Sequence, residues 1–163
     1  MSRAYRVRRA EETDLPAVLE LYRQARSFMA SRGNPNQWGK DKPLCSQTEK
    51  DLAEGHLYVI CEEKTIRGVF ALIPGEDPTY RVIVDGSWRS QSPYCTIHRV
   101  AGDGSGGIFA AAAAYGLQVC THLRVDTHED NLPMQKAILA AGFQPRGIIY
   151  LADGSPRIAY DLV

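Results

Sequence analysis

The N-terminal part of the chain changes from a strand-like to a helix-like pattern of apolar residues. Apolar and basic residues alternate over residues 5–9, which predicts a short strand. Residues 15–30 carry apolar side chains at three- and four-residue steps, the spacing of one helix face. These apolar positions are Leu15, Val18, Leu19, Tyr22, Ala25 and Phe28. Thr13 or Asp14 can cap this helix, and the polar loop after it contains Trp38.

The rest of the chain continues the alternation of short strands and helices. Residues 46–54 predict a second helix, in which Ser46 and Glu49 have the spacing of a capping box. A long loop over residues 74–92 is expected to include a short strand at 80–84. The other predicted elements are strands at 57–61, 66–73, 94–101 and 122–127, helices at 108–120 and 131–141, and a terminal hairpin of 147–152 and 157–163.

This order of elements predicts a single α/β domain over residues 1–163. The order is β-α-α-β-β-β-α-β-α-β-β, with no internal repeat and no linker. Strands joined through a helix tend to lie parallel, whereas strands joined by a tight turn lie antiparallel. We therefore expect a mixed, mostly antiparallel sheet of six to seven strands with about four helices.

Composition and charge exclude several classes of protein. Nineteen basic and nineteen acidic residues give zero formal net charge, which offers no electrostatic attraction to nucleic acid or to an anionic membrane. The sequence has no run of about 18 apolar residues that could span a membrane. The four cysteines form no Cys-x-x-Cys pair and lack metal-ligand spacing, so we expect reduced thiols and no metal site. We expect a cytoplasmic protein without nucleic-acid or membrane partners.

A glycine-rich loop between a predicted strand and a predicted helix is the most informative segment. The sequence IHRVAGDGSGGIFAAAAAYG, residues 97–116, has four glycines within residues 102–107. Glycines let backbone N–H groups approach a ligand, and a helix N-terminus adds partial positive charge. Together these features suit a phosphate or pyrophosphate. The alternative is a connector that uses glycine for turn geometry alone.

This loop differs from two common nucleotide-binding motifs. A P-loop would require Lys-Ser or Lys-Thr after the last glycine, and neither follows here. Gly102, Gly104 and Gly107 have the spacing of a dinucleotide-binding motif, and Asp126 ends a later strand. However, the loop follows a late strand instead of opening the fold. An NAD(P)H-dependent oxidoreductase is therefore kept only as an alternative.

Two segments and the order of the elements point to a known family. The first segment is the strand, glycine loop and helix of residues 97–116, and the second is LRVDTHEDNLPMQKAILAAGF, residues 123–143. With the N-terminal strand, its two helices and the terminal hairpin, the chain resembles the GNAT superfamily of acyl-CoA-dependent N-acyltransferases over nearly its whole length. The resemblance implies a GNAT-like fold and acetyl-CoA as co-substrate.

By this resemblance, acetyl-CoA would bind along the fourth strand and the glycine loop. Its pantetheine would lie against the strand backbone like an added strand, and its pyrophosphate would receive N–H groups from the loop. The residues implied to contact it are Arg99, Val100 and Ala101 on the strand, Gly106, Gly107, Ile108, Phe109 and Ala110 in the turn, and Asn131 at the next helix. Two positions depart from the family pattern Gln/Arg-x-x-Gly-x-Gly/Ala: Gly104 replaces the Gln or Arg, and Phe109 replaces the second small residue.

The sequence offers two histidines as candidate catalytic bases. Many family members carry a tyrosine that protonates the leaving thiolate, and Ile138 occupies that position here. His98 on the fourth strand and His128 after the fifth can exchange protons near neutral pH. Further candidates are Asp126 and Glu129 as proton acceptors and Tyr94 as a donor. Positioning of the amine, with water taking the proton, is the remaining alternative.

These observations predict an acetyltransferase that moves an acetyl group from acetyl-CoA to a primary amine of a small molecule or a peptide. Direct attack is expected, because no cysteine lies at a candidate nucleophile position. Trp38 would either border the acceptor or hold its loop against the core. The alternative function is a non-catalytic module of the same fold that binds CoA or another protein. Pairing of terminal strands between subunits makes a homodimer a further expectation.

Overall fold

The strands and helices follow the predicted order. The computed structural model describes residues 4–163. The strands are β1 (Arg6–Arg9), β2 (Leu57–Glu62), β3 (Thr65–Pro74), β4 (Cys95–Gly102), β5 (Leu123–Thr127), β6 (Gln144–Tyr150) and β7 (Pro156–Leu162). The α-helices are α1 (Leu15–Ser31), α2 (Cys45–Ala53), α3 (Ile108–Val119) and α4 (Leu132–Ala140), with 3-10 turns at Glu12–Asp14 and Pro78–Tyr80.

The seven strands within residues 4–163 form one mixed sheet in the order β1-β2-β3-β4-β5-β7-β6. All neighbouring strands are antiparallel except β4 and β5, so the predicted fold class is confirmed. The β4–β5 ladder pairs Cys95 with Leu123 and Thr96 with Arg124. The ladder ends there, and β4 continues to Gly102 without pairing to β5. The two strands therefore diverge toward their carboxyl ends and leave an opening in the sheet.

Apolar residues on both faces of the sheet form the core. On β2, Tyr58 and Ile60 face the side covered by α3 and α4, whereas Leu57 and Val59 face α1. This alternation follows from the two-residue period of a strand. A third apolar cluster lies under the loop that joins β3 and β4; it consists of Tyr80, Trp88, Tyr94, Ile149 and Ala159. Helices α1, α3 and α4 and the loop between β3 and β4 therefore pack around the part of the sheet where β4 and β5 diverge.

Three local expectations were wrong. Helix α1 buries Leu21 and Met29, while Phe28 is 50% exposed, because the 3.6-residue period turns the end of the predicted stripe away from the sheet. Helix α2 begins at Cys45, and no side chain caps its start, so Ser46 is not its cap. The strand expected at 80–84 is reduced to one bridge between Val84 and Ile148.

Two facing glycines allow helix α3 to begin close to the sheet. Gly68 on β3 pairs with Gly102 on β4, and the Ile108 side chain lies against both. A Cβ atom on Gly68 would lie 2.8 Å from Cγ2 of Ile108, and one on Gly102 would lie 2.7 Å from its Cγ1. Both distances are shorter than a normal carbon–carbon contact, so any larger residue must displace the Ile108 side chain or the start of α3 that carries it.

We expect Gly68→Ala to destabilise the protein by about 1–3 kcal/mol, the usual range for an overpacked core position. The same substitution made in an Ile108→Ala background should be less damaging, because the two Ile108 atoms nearest to the new Cβ are gone and only the Ala101 carbonyl oxygen, at 3.2 Å, remains close. Urea unfolding of the two single variants and the double variant measures this coupling. Strict additivity of the two changes would contradict the proposed contact.

No helix within residues 4–163 combines the length and the apolar character needed to cross a membrane.

Candidate active site

A cavity of about 640 Å³, here called the loop cavity, lies at the carboxyl end of β4. Its walls come from α1, the end of β4, the glycine loop, the first turn of α3 and one face of α4 along its length. Eight of the nine residues predicted to contact acetyl-CoA line it: Val100, Ala101, Gly106, Gly107, Ile108, Phe109, Ala110 and Asn131. The ninth, Arg99, lines a neighbouring cavity instead. The structure therefore brings most of the predicted contact residues to one place.

The glycine loop has the backbone geometry of an anion site. Gly104, Gly106 and Gly107 have φ angles of +87°, +87° and +75°, a region that residues with a Cβ atom rarely adopt. No atom lies within 4 Å of where a Cβ on Gly104 or Gly106 would be, so the space beside the loop is open. The first turn of α3 leaves N–H groups without a partner inside the helix, and no side chain caps it. These N–H groups and the helix dipole favour an anion.

Phe109 does not obstruct this site. Its side chain is 4% exposed and packs against Phe143, with ring centroids 5.6 Å apart. The aromatic ring thus fills the core between α3 and the sheet, and only the backbone of Phe109 is available at the helix start. The departure from the family pattern at this position is compatible with a bound phosphate.

Contacts from Tyr5, which directly precedes β1, and from β3 hold the loop in place. The Tyr5 hydroxyl donates to the carbonyl oxygen of Gly106 at 2.6 Å and lies 2.9 Å from Oγ of Ser105. Asp103 accepts hydrogen bonds from the Ser105 backbone N–H at 3.0 Å and from Arg67 at 3.1 Å. Burial raises the pKa of Asp103, but these bonds outweigh it and lower that pKa. Among the described residues that line the loop cavity there is no lysine or arginine, so an anion there depends on backbone N–H groups.

A second cavity of about 460 Å³, here called the polar cavity, adjoins the loop cavity. Both cavities are lined by Met29, Val100 and Met134, which we call the junction. The junction is apolar, whereas the polar cavity contains charged and hydrogen-bonding side chains. These include Gln37, Trp38, Lys42, Asp77, His98, Arg99, Asp126 and Arg157.

His98 and Asp77 form a pair in the polar cavity. Nε2 of His98 lies 2.8 Å from Oδ2 of Asp77, and Oδ1 of Asp77 accepts from the backbone N–H and hydroxyl of Thr79 at 2.9 and 2.7 Å. Burial raises the pKa of Asp77, but the bonds from His98 and Thr79 outweigh it and lower that pKa to about 2. Because an ionised carboxylate only accepts hydrogen bonds, Nε2 of His98 carries the proton and Nδ1 of neutral His98 holds a lone pair.

His128 lies outside both cavities. Its Nδ1 accepts a hydrogen bond from the Asp130 backbone N–H at 3.0 Å. Its own backbone N–H donates to Oε1 of Gln37 at 3.3 Å. The ring is therefore engaged in the turn between β5 and α4, and the structure separates His128 from His98. Glu129, in the same turn, is exposed and lines neither cavity.

Asn131 lines the loop cavity with a side chain that already has partners. Its Oδ1 accepts from the Met134 backbone N–H at 3.1 Å and so caps α4. Its Nδ2 donates to Oε1 of Gln37 at 3.0 Å. Asn131 thus fixes the start of α4 and the loop that carries Gln37, and it shapes the cavity through these contacts.

A bulge in β4 sets the direction of Arg99. Arg99 and Val100 together oppose the single residue Phe70, and Arg99 has a φ angle of +53°. The Arg99 side chain donates twice to the Asp51 carboxylate, at 2.8 and 3.0 Å. Its carbonyl oxygen accepts from the Tyr22 hydroxyl at 2.9 Å. Asp51 was not among the predicted site residues, because nothing local signals a contact between residues 48 positions apart.

Comparison with known proteins supports the family that the sequence suggested. No family model and no curated protein sequence matches the chain. A GNAT-family acetyltransferase structure from Streptococcus agalactiae 2603 shares 28% identity, over 98% of this chain and 95% of that one, with a TM-score of 0.88. We assign the chain to the GNAT superfamily.

Two other structures show the same GNAT fold. A ribosomal-protein-alanine N-acetyltransferase from Brucella melitensis is 15% identical, over 97% of this chain and 99% of that one, with a TM-score of 0.66. A chain of the NatC complex bound to Gag peptide and CoA is 10% identical, over 97% of each chain, with a TM-score of 0.64. At such identities these two matches concern the fold alone. The Streptococcus agalactiae neighbour, at 28% identity, supports acetyl transfer as the general activity.

Proposed function

We propose that the protein transfers the acetyl group of acetyl-CoA to a primary amine that binds in the polar cavity. The observation that carries this proposal is the contact between the two cavities. The glycine loop has the backbone geometry of an anion site, a histidine–aspartate pair lies in the polar cavity, and both cavities are lined by the junction of Met29, Val100 and Met134. Acetyl-CoA, bound with its pyrophosphate at the loop, would supply an activated thioester.

The residues of the polar cavity would prepare the amine for direct attack. An amine attacks only as the free base, so a proton must leave the ammonium form. Nδ1 of His98 would take this proton, and the ionised Asp77 carboxylate would stabilise the resulting imidazolium and hold its ring in place. The apolar junction would exclude water from the thioester.

No tyrosine on α4 would assist the leaving thiolate. Ile138 occupies the family's tyrosine position, and its side chain is fully buried in the core. The residues that α4 and its two flanking positions contribute to the junction and the loop cavity have no acidic side chain: Asn131, Pro133, Met134, Ala137, Ala140 and Ala141. Sulfur would therefore depart as thiolate, and transfer would depend on the base and on positioning.

The same observations favour a second candidate function. The buried Ile138 and the absence of basic side chains among the described residues lining the loop cavity fit a module that binds CoA without transfer. Thiol release separates the two functions. Release of CoA thiol from acetyl-CoA with a panel of primary amines supports transfer, whereas CoA binding without release favours the module.

The Gly107→Asp variant tests the loop assignment, with Gly107→Asn as its matched control. Gly107 has a φ angle of +75°, which Asn and Asp tolerate better than other residues, and the two variants differ in charge but hardly in shape. A carboxylate at this point would repel a pyrophosphate. We expect Gly107→Asp to bind CoA at least about tenfold more weakly than Gly107→Asn, or about 1.4 kcal/mol. Equal affinities by titration calorimetry, with both variants folded, would refute the assignment.

A further inference from the structure

Arg157 is a buried arginine with no acidic partner. It lies on β7, is 5% exposed, and lines the polar cavity. Its guanidinium donates to two backbone carbonyl oxygens, that of Pro156 at 2.8 Å and that of Gln37 at 3.2 Å. Within residues 4–163, no carboxylate lies within 4.0 Å of it. These two bonds use part of the donor capacity of a group with five N–H donors.

Several other arginines that are not fully exposed have their charge compensated. Arg8, Arg99 and Arg146 each contact a carboxylate at 2.7 to 2.8 Å. Arg124, the other fully buried arginine among residues 4–163, is stacked between two aromatic rings, with its Cζ 3.9 and 4.0 Å from their centroids. Arg157 differs from them because only neutral carbonyl groups contact it directly.

Arg157 thus lines the polar cavity while having little access to bulk water. Burial lowers the pKa of its guanidinium, although the negative charges of Asp126 and Asp153 act in the opposite direction. A buried cation without a counter-ion is unfavourable, and an anion entering the cavity would relieve this. The exposed Lys42 lines the same cavity and adds positive charge.

The polar cavity also contains negative charge that suits an amine. The Asp126 carboxylate accepts a hydrogen bond from the Tyr80 hydroxyl through Oδ2, at 2.6 Å, and has no cationic side chain within 4.0 Å in the described part of the chain. Asp77 lies in the same cavity, paired with His98. The cavity therefore offers both anionic and cationic groups to a single ligand.

We propose that the acceptor is a small amino acid-like molecule, whose carboxylate binds Arg157 while its amine faces His98 and Asp126. This inference deepens the proposed function and rests on it. A carboxylate matches the planar donor array of a guanidinium better than a neutral amide does, because both of its oxygens accept charge-assisted hydrogen bonds. A diamine or a neutral amine would leave the charge of Arg157 uncompensated.

The test compares each of a set of α-amino acids and ω-amino acids with its own carboxamide. Thiol release from acetyl-CoA gives kcat/KM, and titration calorimetry in the presence of CoA gives binding. For at least one member of the set, we expect kcat/KM for the acid to exceed that for the carboxamide by at least about tenfold. Arg157→Gln should reduce this ratio to about threefold or less, and Arg157→Lys should leave an intermediate ratio, since a lysine keeps the charge without the planar fork.

Arg81→Gln is the matched control, because it removes the same charge from an exposed arginine outside both cavities. It should leave the ratio unchanged. If Arg157→Gln does not fold, the acid-to-carboxamide ratios of the wild-type protein and of Arg157→Lys still test whether Arg157 binds the carboxylate of the acceptor.

The outcomes separate this inference from the proposed function. Preferential binding of acids without thiol release supports the anion site and contradicts acetyl transfer to these amines. Thiol release with equal rates for acids and carboxamides supports transfer and overturns the anion site. Failure of every acid in the set to bind or react also overturns it.

Discussion

Replacing His98 with glutamine is expected to lower kcat/KM by about 10²-fold or more and to remove the acid limb of its pH profile. The limb arises because protonated imidazole cannot take a proton from the amine, so the rate rises with pH until His98 is neutral. Glutamine can keep a hydrogen bond to Asp77 but has no basic nitrogen. Steady-state rates of thiol release between pH 5 and 9 measure both effects.

His128→Gln is the matched control for this experiment. Its ring lies in the turn after β5 and lines neither cavity, so the rate and the pH profile should stay close to those of the wild type. If both glutamine variants keep wild-type rates and pH dependence, neither histidine is the base. Catalysis would then depend on positioning, or on a carboxylate such as Asp126 acting through water.

Replacing Asp51 with alanine is expected to reduce the free energy of unfolding by about 3 kcal/mol or more, the usual effect of breaking a buried ion pair. Asp51 is 2% exposed, and its loss would leave the Arg99 guanidinium without its carboxylate. It would also remove the bond from Gln47 at 2.9 Å. Because Arg99 sits at the bulge that precedes Val100, CoA affinity should fall as well.

Glu49→Ala provides the control on the same helix, because Glu49 is exposed and carries the same charge. It should change the free energy of unfolding by less than about 0.5 kcal/mol. Urea unfolding of the three proteins gives the comparison. A similar, small effect of both substitutions would mean that the Arg99–Asp51 pair adds little to stability.

The parts of the site that sequence could predict are those made by neighbouring residues. The glycine loop and the start of α3 lie within one short segment, so their N–H groups meet wherever that segment folds. The strands 57–61 and 66–73 followed from simple alternation, and the structure extends each by one or two residues. The mixed sheet followed from the order of the elements.

The rest of the site depends on contacts between distant segments. Asp77 comes from a long loop and meets His98 across 21 positions, and Arg157 meets Gln37 across 120. The direction of His98 could not be predicted either, because the bulge at Arg99 interrupts the alternation of β4. A positive φ angle at an arginine leaves no mark in the sequence.

Among its described lining residues the loop cavity has no lysine or arginine, and its Asp103 carboxylate is paired with Arg67. Its attraction for an anion therefore comes from backbone N–H groups, and this affects how the protein responds to ionic strength. Lys and Arg side chains attract anions over distances comparable to the Debye length, about 10 Å at 0.1 M salt, and salt screens that attraction. Backbone N–H groups act at contact distance, where mobile ions cannot intervene. With zero net charge on the chain there is little long-range attraction to lose. Recognition of a polyanion at this loop would therefore vary little between dilute buffer and concentrated salt.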